Sequence, residues 1–284
     1  MDPPSDLRSS SIKDELLSLA SQRIRIADLD ARAREQGDRA AAAEVRELKK
    51  NYAESLSRLL AQRCADALRL QFPGILPDEY GRGHESPARA SKRTKKLDVN
   101  YSNPAIGLGL GLSIKTLNFR DPKTQRYTKN FTRVDNEWRA EASDYHERQP
   151  YAVMIGLLFL PRDAVDDAKG KHHSSFAGAI NVFRHRAGRR APSDRTELFE
   201  RLFIGLYDTD ESNLGFTSFF DVAEPPARAG MPSKLMTFSD VLDAIRDEYD
   251  ERNKVGITYE GEPDLAPTLE ELQDLQHDLE EETD

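Results

Sequence analysis

Apolar residues recur three or four positions apart through the first quarter of the chain. This spacing predicts one helix over residues 11–36 and a second over residues 38–72. Gly37 lies between the two segments and marks the turn that separates them. The pattern therefore predicts an N-terminal helical hairpin that packs against the rest of the chain or against a second copy of it.

The pattern changes to a period of two at residue 97. Residues 97–101 alternate apolar and polar side chains, as in a half-buried strand, and a Ser-Asn-Pro turn follows. The next stretch, GLGLGLSIKT at residues 107–116, alternates glycine with leucine. Strand geometry places Leu108, Leu110, Leu112 and Ile114 on one face, and Gly107, Gly109, Gly111, Ser113 and Lys115 on the other. The sequence predicts a strand with one nearly bare face that ends on a lysine.

Further elements follow this strand. The pattern predicts a turn with a return strand to residue 131, a helix over 133–149, an apolar strand over 151–160, a strand or buried segment over 174–183, and helices over 194–206 and 238–253. Thr237 and Asp240 have the spacing of a capping box at the start of the last helix. The expected fold class is α/β, with a mixed β-sheet core flanked by helices and preceded by the helical hairpin.

Composition divides the chain into four parts. Residues 1–73 form the helical arm, and residues 74–96, rich in glycine, proline and serine and then in basic residues, are expected to form a basic flexible loop. Residues 97–257 form the core, and residues 258–284 form a tail with eleven acids and no lysine or arginine. Removing those eleven negative charges from the formal net charge of −9 leaves +2 for the rest of the chain. A mildly basic body favours a polyanionic partner.

Three features of the sequence indicate the cellular compartment of the protein. The longest apolar run, at residues 151–160, is about half the length that a membrane-spanning helix needs. The N-terminus has acids and prolines where a secretory signal carries a basic and then an apolar stretch. Cys64 is the single cysteine and is expected to be a small buried residue. We expect a cytoplasmic protein without a membrane partner.

Three familiar motifs do not fit the sequence. A dinucleotide-binding loop needs a glycine where the stretch has Leu112 or Ile114, and a Walker A loop needs one at Ile114. His173, Asn181 and His185 are similar to the His-Asn-His nucleases only superficially, because Asn181 lies inside an apolar run. Nucleotide binding and a ββα nuclease unit are therefore disfavoured.

The bare face favours a different phosphate chemistry. Hydrolysis of a phosphodiester with a metal ion needs carboxylates that hold the cation and a positive side chain near the scissile phosphate. Asp98 on one strand and Lys115 on the next can supply both if their side chains share a face. The glycines between them would then leave room for a phosphodiester backbone to approach the sheet.

With this arrangement, residues 97–161 resemble the PD-(D/E)xK nuclease superfamily, which includes many restriction endonucleases. Asp98 corresponds to the first acid and Lys115 to the lysine, while Ser113 stands in place of the second acid and Leu97 in place of the proline. Some members have Ser-x-Lys and take the missing carboxylate from the helix that follows. Glu141 is the preferred candidate here because it lies beside the apolar stripe of that helix, and Glu137 is the second. Glu54 in the N-terminal arm is a third candidate.

The resemblance implies a function and a set of partners. It implies a restriction-endonuclease-like fold and a Mg²⁺-dependent DNA endonuclease, with Mn²⁺ as an alternative ion, acting in restriction or anti-phage defence. The metal would be held by Asp98, the carbonyl of Ile114 and Glu141, with Lys115 acting on the attacking water and the phosphate. Further partners would be a second copy of the chain or a subunit of a defence complex. The basic residues expected to contact the DNA backbone are Arg93, Lys95, Lys96, Arg184 and Arg186.

Two other functions remain open at this point. The chain could be a catalytically degenerate DNA-binding or assembly subunit, which Ser113 favours because a serine is a poor substitute for a carboxylate. It could also be an interaction protein whose helical hairpin and acidic tail are the working parts. Substitution of the lysine and the acids separates these functions.

The acidic tail generates the first testable prediction. Leucines at helical spacing after residue 268 give it the pattern of an acidic amphipathic helix, which we expect to cover a basic cleft of the body or to dock on a partner. If the tail covers the cleft, deletion of residues 258–284 should raise the affinity for DNA, measured by fluorescence anisotropy over a range of salt concentrations. An affinity and salt dependence equal to those of the full chain would contradict this role.

Overall fold

The computed structural model describes residues 13–89, 94–103, 107–209 and 216–253. The predictions for Arg93 and for the acidic tail at residues 258–284 lie outside these ranges. No helix within them is both long enough and apolar enough to cross a lipid bilayer.

The N-terminal helical hairpin is confirmed. Helix α1 covers Lys13–Glu35 and helix α2 covers Arg39–Leu68. Asp38 ends the turn because its side chain accepts hydrogen bonds from the N–H groups of Ala40 and Ala41, at 2.8 and 3.1 Å, which satisfies two free donors of α2. The two helices pack against each other and bury one side of α2, including Cys64, against the rest of the fold.

Two β-sheets follow the hairpin. Strands β1 (Ser86–Arg89) and β2 (Thr94–Leu97) form a small antiparallel pair. Strands β3 (Val99–Asn103), β4 (Gly107–Thr116), β5 (Val153–Pro161), β6 (Arg201–Tyr207) and β7 (Thr217–Asp221) form the main sheet in sequential order. The three central strands are parallel, and both outer strands are antiparallel to their neighbours. A mixed α/β fold is therefore confirmed, but the segment at 74–96 is not simply a loop, because β1 and β2 lie within it.

Helices cover both faces of the main sheet. Helix α3 covers Phe131–Arg148, α4 covers Ser175–Phe183 and α5 covers Phe238–Arg252. One hydrophobic core lies between the sheet and α1, α2 and α5, and the other lies between the sheet and α3 and α4. The capping box predicted at Thr237 and Asp240 is present at the start of α5.

Two predicted elements are wrong. Residues 120–127 form turns before a short 3-10 helix at Thr128–Asn130, and no return strand is found there. Of the two alternatives for residues 174–183, the buried segment is confirmed and the strand is wrong, because residues 175–183 form the mostly buried helix α4. The helix predicted at 194–206 is replaced by β6, a central strand with an uninterrupted apolar run because both of its faces are covered.

Strand β4 carries a bulge that the glycine-leucine pattern does not show. The register between β3 and β4 shifts after Tyr101, and Gly109 is the extra residue on β4. As a result, Leu108 packs in the core beside α3, whereas Leu110 and Leu112 pack in the core beside α2. The prediction that all these leucines share one face is therefore wrong at Leu108.

The glycines of β4 do not leave one bare face, because Gly109 and Gly111 lie on opposite faces of the strand and both meet side chains. A Cβ atom at Gly111 would lie 2.8 Å from Met154 Sδ and 2.9 Å from Leu97 Cδ1, and one at Gly109 would lie 3.3 Å from the ring of Tyr101. These contacts arise because β4 is an inner strand with helices over both faces. The expectation that the glycines admit a phosphodiester backbone is therefore wrong, and they instead make room for buried side chains.

Gly156 on β5 generates a prediction about packing. It lies opposite Ser113 in the sheet, and a Cβ atom there would lie 1.9 Å from Leu202 Cδ2 and 3.4 Å from Trp138 Cε2. Because both neighbours are fully buried, Gly156→Ala should lower the free energy of unfolding by about 1–3 kcal/mol, as measured by urea denaturation.

Gly178→Ala is the matched control for this change. Gly178 lies inside α4, and a Cβ atom there would meet only Phe131 Cε2, at an ordinary 3.6 Å. This variant should be as stable as the natural chain or more stable by about 0.5–1 kcal/mol, because alanine favours a helix interior. Equal stability of the two variants would contradict the close packing at Gly156.

Candidate active site

The candidate site lies where β3 begins and the edge of β4 becomes free. The last pair in this register joins Val99 to Leu112, so β4 continues past its partner strand. Asp98, at the bend between β2 and β3, takes the place of that partner and accepts a hydrogen bond from the N–H of Ile114 at 2.6 Å. The carbonyl of Ile114 leaves the strand on the same side as its N–H, so it also points to the free edge.

A chain of hydrogen bonds joins β4 to helix α3. Lys115 Nζ donates to Glu141 Oε1 at 2.7 Å, and Ser113 Oγ donates to Glu141 Oε2 at 2.5 Å. Trp138, one turn before Glu141 on α3, donates its Nε1–H to Ser113 Oγ at 3.1 Å. The serine at the position of the expected acid therefore orients the carboxylate that α3 supplies.

Glu137 lies at the outer side of the same cluster. Its Oε2 is 3.7 Å from Lys115 Nζ, while its Oε1 accepts a hydrogen bond from Arg133 at 2.9 Å. Glu137 is more exposed than Glu141, and Arg133 balances its charge. The structure therefore places both predicted glutamates beside Lys115 and brings Glu141 closer to it.

The electrostatics of the site favour an added positive charge. Burial raises the pKa of Asp98 to about 6, although the N–H of Ile114 and the charge of Lys115 act in the opposite direction. Burial lowers the pKa of Lys115, but the charges of Glu141, Asp98 and Glu137 outweigh burial and raise the pKa above its usual value. Lys115 is therefore protonated at neutral pH. The Ile114 N–H and the charge of Lys115 offset only part of the cost of burying the Asp98 carboxylate.

A polar cavity of about 600 Å³ opens beside Asp98 and Lys115. Helix α2 lines it with residues one turn apart, among them Glu54, Ser57 and Arg58, and β4 contributes Ile114 and Lys115. Glu54 therefore reaches the same cavity as Asp98, and the structure brings the third candidate acid to the site. Its side chain is mostly exposed and lies 3.6 Å from Lys50.

The residues that could hold a metal ion here are Asp98, Ile114 and Glu141. Among the described residues, no three His, Cys, Asp or Glu side chains cluster closely enough to form a metal site by themselves. Mg²⁺ does not require such a cluster, because it is commonly held by one or two carboxylates, with water and substrate phosphate completing its octahedron. Asp98 and the Ile114 carbonyl at the free edge, with Glu141 behind Lys115, offer the hard oxygen donors that this ion prefers.

Three residues predicted to contact the DNA backbone have described side chains, namely Lys96, Arg184 and Arg186, and none of the three lines this cavity. Arg186 is buried and forms a bidentate pair with Asp135, at 2.8 and 3.0 Å, so its charge is already balanced. Arg184 is exposed at the end of α4 and donates to the carbonyl of Ala223. Lys96 is exposed and lies 3.3 Å from Glu85, which lines the cavity, so it is the one of these three nearest to the site.

Lys95, which was also predicted to contact DNA, lies in β2 opposite Ala88.

Several residues at the cavity were not predicted as site residues. Arg58, His84 and Arg133 line the cavity. They are far apart in the sequence, so only the folded chain brings them together. Burial, followed by the nearby charge of Arg58, lowers the pKa of His84, which favours a neutral imidazole. Glu54, Ser57 and Arg58 of α2 are polar and lie about one turn apart, and this short stripe is the sequence signal that could have identified one wall.

No protein-family model, curated protein sequence or solved structure matches this chain. A functional assignment therefore depends on the residues and geometry described above.

The raised pKa of Asp98 generates a prediction about stability. Its pKa is about 6 in the folded chain, against 3.8 for an unperturbed aspartate as in the unfolded chain, so the folded state binds more protons between these values. The free energy of unfolding should therefore fall as the pH rises from about 4 to 6. In metal-free buffer, Asp98→Asn should match the natural chain near pH 4 and exceed its stability by about 2–3 kcal/mol near pH 8.

Urea denaturation at a series of pH values measures this difference. Asp243→Asn, a change at an exposed residue of α5, controls for the substitution itself. A difference between Asp98→Asn and the natural chain that stays constant with pH would contradict the raised pKa.

Proposed function

We propose that this chain is a Mg²⁺-dependent deoxyribonuclease with a restriction-endonuclease-like fold. The observation that carries the proposal is that Asp98 and Lys115 line one polar cavity at the free edge of β4, while Glu141 binds Lys115 from α3. Two further features support it. A strand, a longer strand, a helix and a parallel strand follow one another in the order typical of that superfamily, and the helix supplies the acid that the strand lacks. The role in restriction or anti-phage defence rests on the resemblance.

Asp98, the Ile114 carbonyl and Glu141 would hold the ion. When bound, Mg²⁺ would lower the pKa of a coordinated water and neutralise charge on the phosphate. Asp98 is kept in place by the Ile114 N–H, so its other oxygen can face the cavity. Glu141 now shares its two oxygens between Ser113 and Lys115, and it would serve the ion from the same position.

Lys115 would act as a positive charge. Its raised pKa keeps the ammonium group protonated, so we assign it the tasks of orienting the attacking water and stabilising charge on a phosphate oxygen. Its contact with Glu141 holds the ammonium group in position before substrate binds. A base with a lowered pKa would be needed to remove a proton at neutral pH, which Lys115 does not provide.

A catalytically degenerate DNA-binding or assembly subunit is the second candidate function. Ser113 favours it, because the motif acid is absent from the strand. The contact between Ser113 and Glu141 disfavours it, because a replacement carboxylate lies at the site. A cleavage assay separates the two functions.

The proposal predicts Mg²⁺-dependent cleavage that depends on specific side chains. Plasmid and linear DNA incubated with the full chain and Mg²⁺ should be cut, and EDTA should abolish cutting. Lys115→Ala and Asp98→Ala should each lower the rate by at least about 100-fold, because each removes a group from the reacting phosphate or its ion. Glu141→Gln should lower the rate far more than Glu137→Gln, since Glu137 is held by Arg133. Gel electrophoresis of the products measures these rates.

Lys234→Ala is the matched control, because Lys234 is an exposed lysine paired with a single glutamate, Glu224, away from the cavity. It should cut like the natural chain. Mg²⁺ should also raise the melting temperature of the natural chain but not that of Asp98→Asn, a readout that does not need cleavage. Cutting that survives both Lys115→Ala and Asp98→Ala would refute the assigned site. A natural chain that cuts no DNA would favour the non-catalytic subunit.

A further inference from the structure

A second cavity of about 570 Å³ lies next to the candidate active site and is strongly basic. We call it the basic groove. Helices α1 and α2 form one wall, and the segment between β4 and α3, at residues 116–133, forms the other. Seven lysines or arginines line it, but only two aspartates, Asp30 and Asp121. None of these basic residues is among those predicted from the sequence to contact the DNA backbone.

The carboxylates around the groove do not balance its positive charge. Asp30 is shared by Arg34 and Lys49, and Asp121 lies 3.3 Å from Lys129. Arg120 and Arg133 pair with carboxylates outside the lining set, at Asp163 and Glu137. Seven cations therefore face four carboxylates. Within the described chain, Arg46 is exposed without an ion-pair partner, and Arg126 donates to a neutral carbonyl.

The pKa of Lys49 responds to the excess of positive charge in the groove. Its Nζ is 2.7 Å from Asp30, a contact that should favour the charged form. Its pKa is nevertheless lowered to about 8, first by burial and then by the charges of Arg34, Arg23 and Lys129. Arg23 and Lys49 also lie about 5 Å from the centre of the same ring, that of Phe119. Like charges are thus held close together, which an anionic ligand would relieve.

The basic groove is continuous with the candidate active site. Ala53 and Arg133 line both cavities, and Thr116 in the groove is adjacent to Lys115 in the site. Helix α2 forms a wall of both, from Arg46 to Ala61. At 1.5 Å per residue this wall is about 22 Å long, which equals the axial length of about six base pairs of a DNA duplex.

We infer that the basic groove and the active-site cavity form one trough that binds the phosphate backbone of DNA, and that the groove holds the phosphates on one side of the bond to be cut. The groove offers seven cations distributed over both of its walls, which suits a repeating anion. The inference depends on the proposed function only for the identity of the reacting phosphate. Backbone binding itself can be tested without cleavage.

Binding is measured with the full chain in EDTA, so that no metal-dependent cutting occurs. The probe is a fluorescent 20-base-pair duplex, with single-stranded DNA and RNA of the same sequence as further arms, and anisotropy is recorded from low to high salt. The variant is Arg46→Ala with Lys129→Ala, two exposed groove residues. It should bind the duplex about tenfold more weakly, and the slope of log affinity against log salt should fall by about two.

The matched control is Arg195→Ala with Lys234→Ala, which removes an exposed arginine and lysine that do not line the groove. Its affinity and slope should equal those of the natural chain. Melting temperatures of both double variants show whether they fold, and Arg46→Glu alone provides a second measurement with a larger loss expected.

The outcomes separate this inference from the proposed function. A loss of binding confined to the groove variants supports the trough even if the natural chain cuts no DNA. Equal binding by the groove variant and the control overturns the trough even if the natural chain cuts DNA. Failure of the natural chain to bind the duplex also overturns it, and binding of RNA or single strands alone would replace duplex DNA as the ligand.

Discussion

The contact between Lys115 on β4 and Glu141 on α3 is the interaction on which the site depends. Both side chains are about four-fifths removed from solvent, so each charge would be costly alone. The pair is stable because Ser113 satisfies the second oxygen of Glu141, and Ser113 is in turn held by Trp138. Trp138 is itself buried in the core between the sheet and α3. A buried ion pair, a serine and a tryptophan are therefore coupled.

A second network fixes the other end of the same helix. Glu200 is fully buried and accepts hydrogen bonds from the N–H of Met154 at 2.7 Å and from Arg189 at 3.0 Å, with Arg252 at 3.1 Å. His146, in the last turn of α3, lies 3.4 Å from the same carboxylate. Burial alone would raise the pKa of Glu200, but these partners lower it, so it remains ionised. The network joins the ends of α3 and α5 to the starts of β5 and β6, and it limits sliding of α3 over β4.

Local sequence features predicted much of this arrangement. The helical spacing around residues 38–72 and the period of two around residues 107–116 identified α2 and β4, and the stripe on α3 singled out Glu141. The errors arose where tertiary structure overrides the local pattern. The bulge at Gly109 is set by pairing with β3, and β6 has no alternation because helices cover both of its faces.

The basic groove could not be predicted for the same reason. Its cations come from two helices and a turn segment that are distant in sequence, and none of them forms a conspicuous run of basic residues. The basic runs that do stand out in the sequence are a poor guide here. Arg186 and Arg189 are buried and paired with acids, so their charges hold the fold together.

Moving the motif acid from the strand to a helix changes what the site requires of the fold. An acid at position 113 would stand two residues from Lys115 on the same strand, and strand geometry alone would keep the two side chains together. Glu141 reaches Lys115 only if α3 docks in the correct register, which depends on Trp138 and the Glu200 network. The position of Glu141 in the site is thus set by the packing of α3 in the core. Substitutions deep under α3 should disturb Lys115 as directly as substitutions beside it, because the carboxylate moves with the helix.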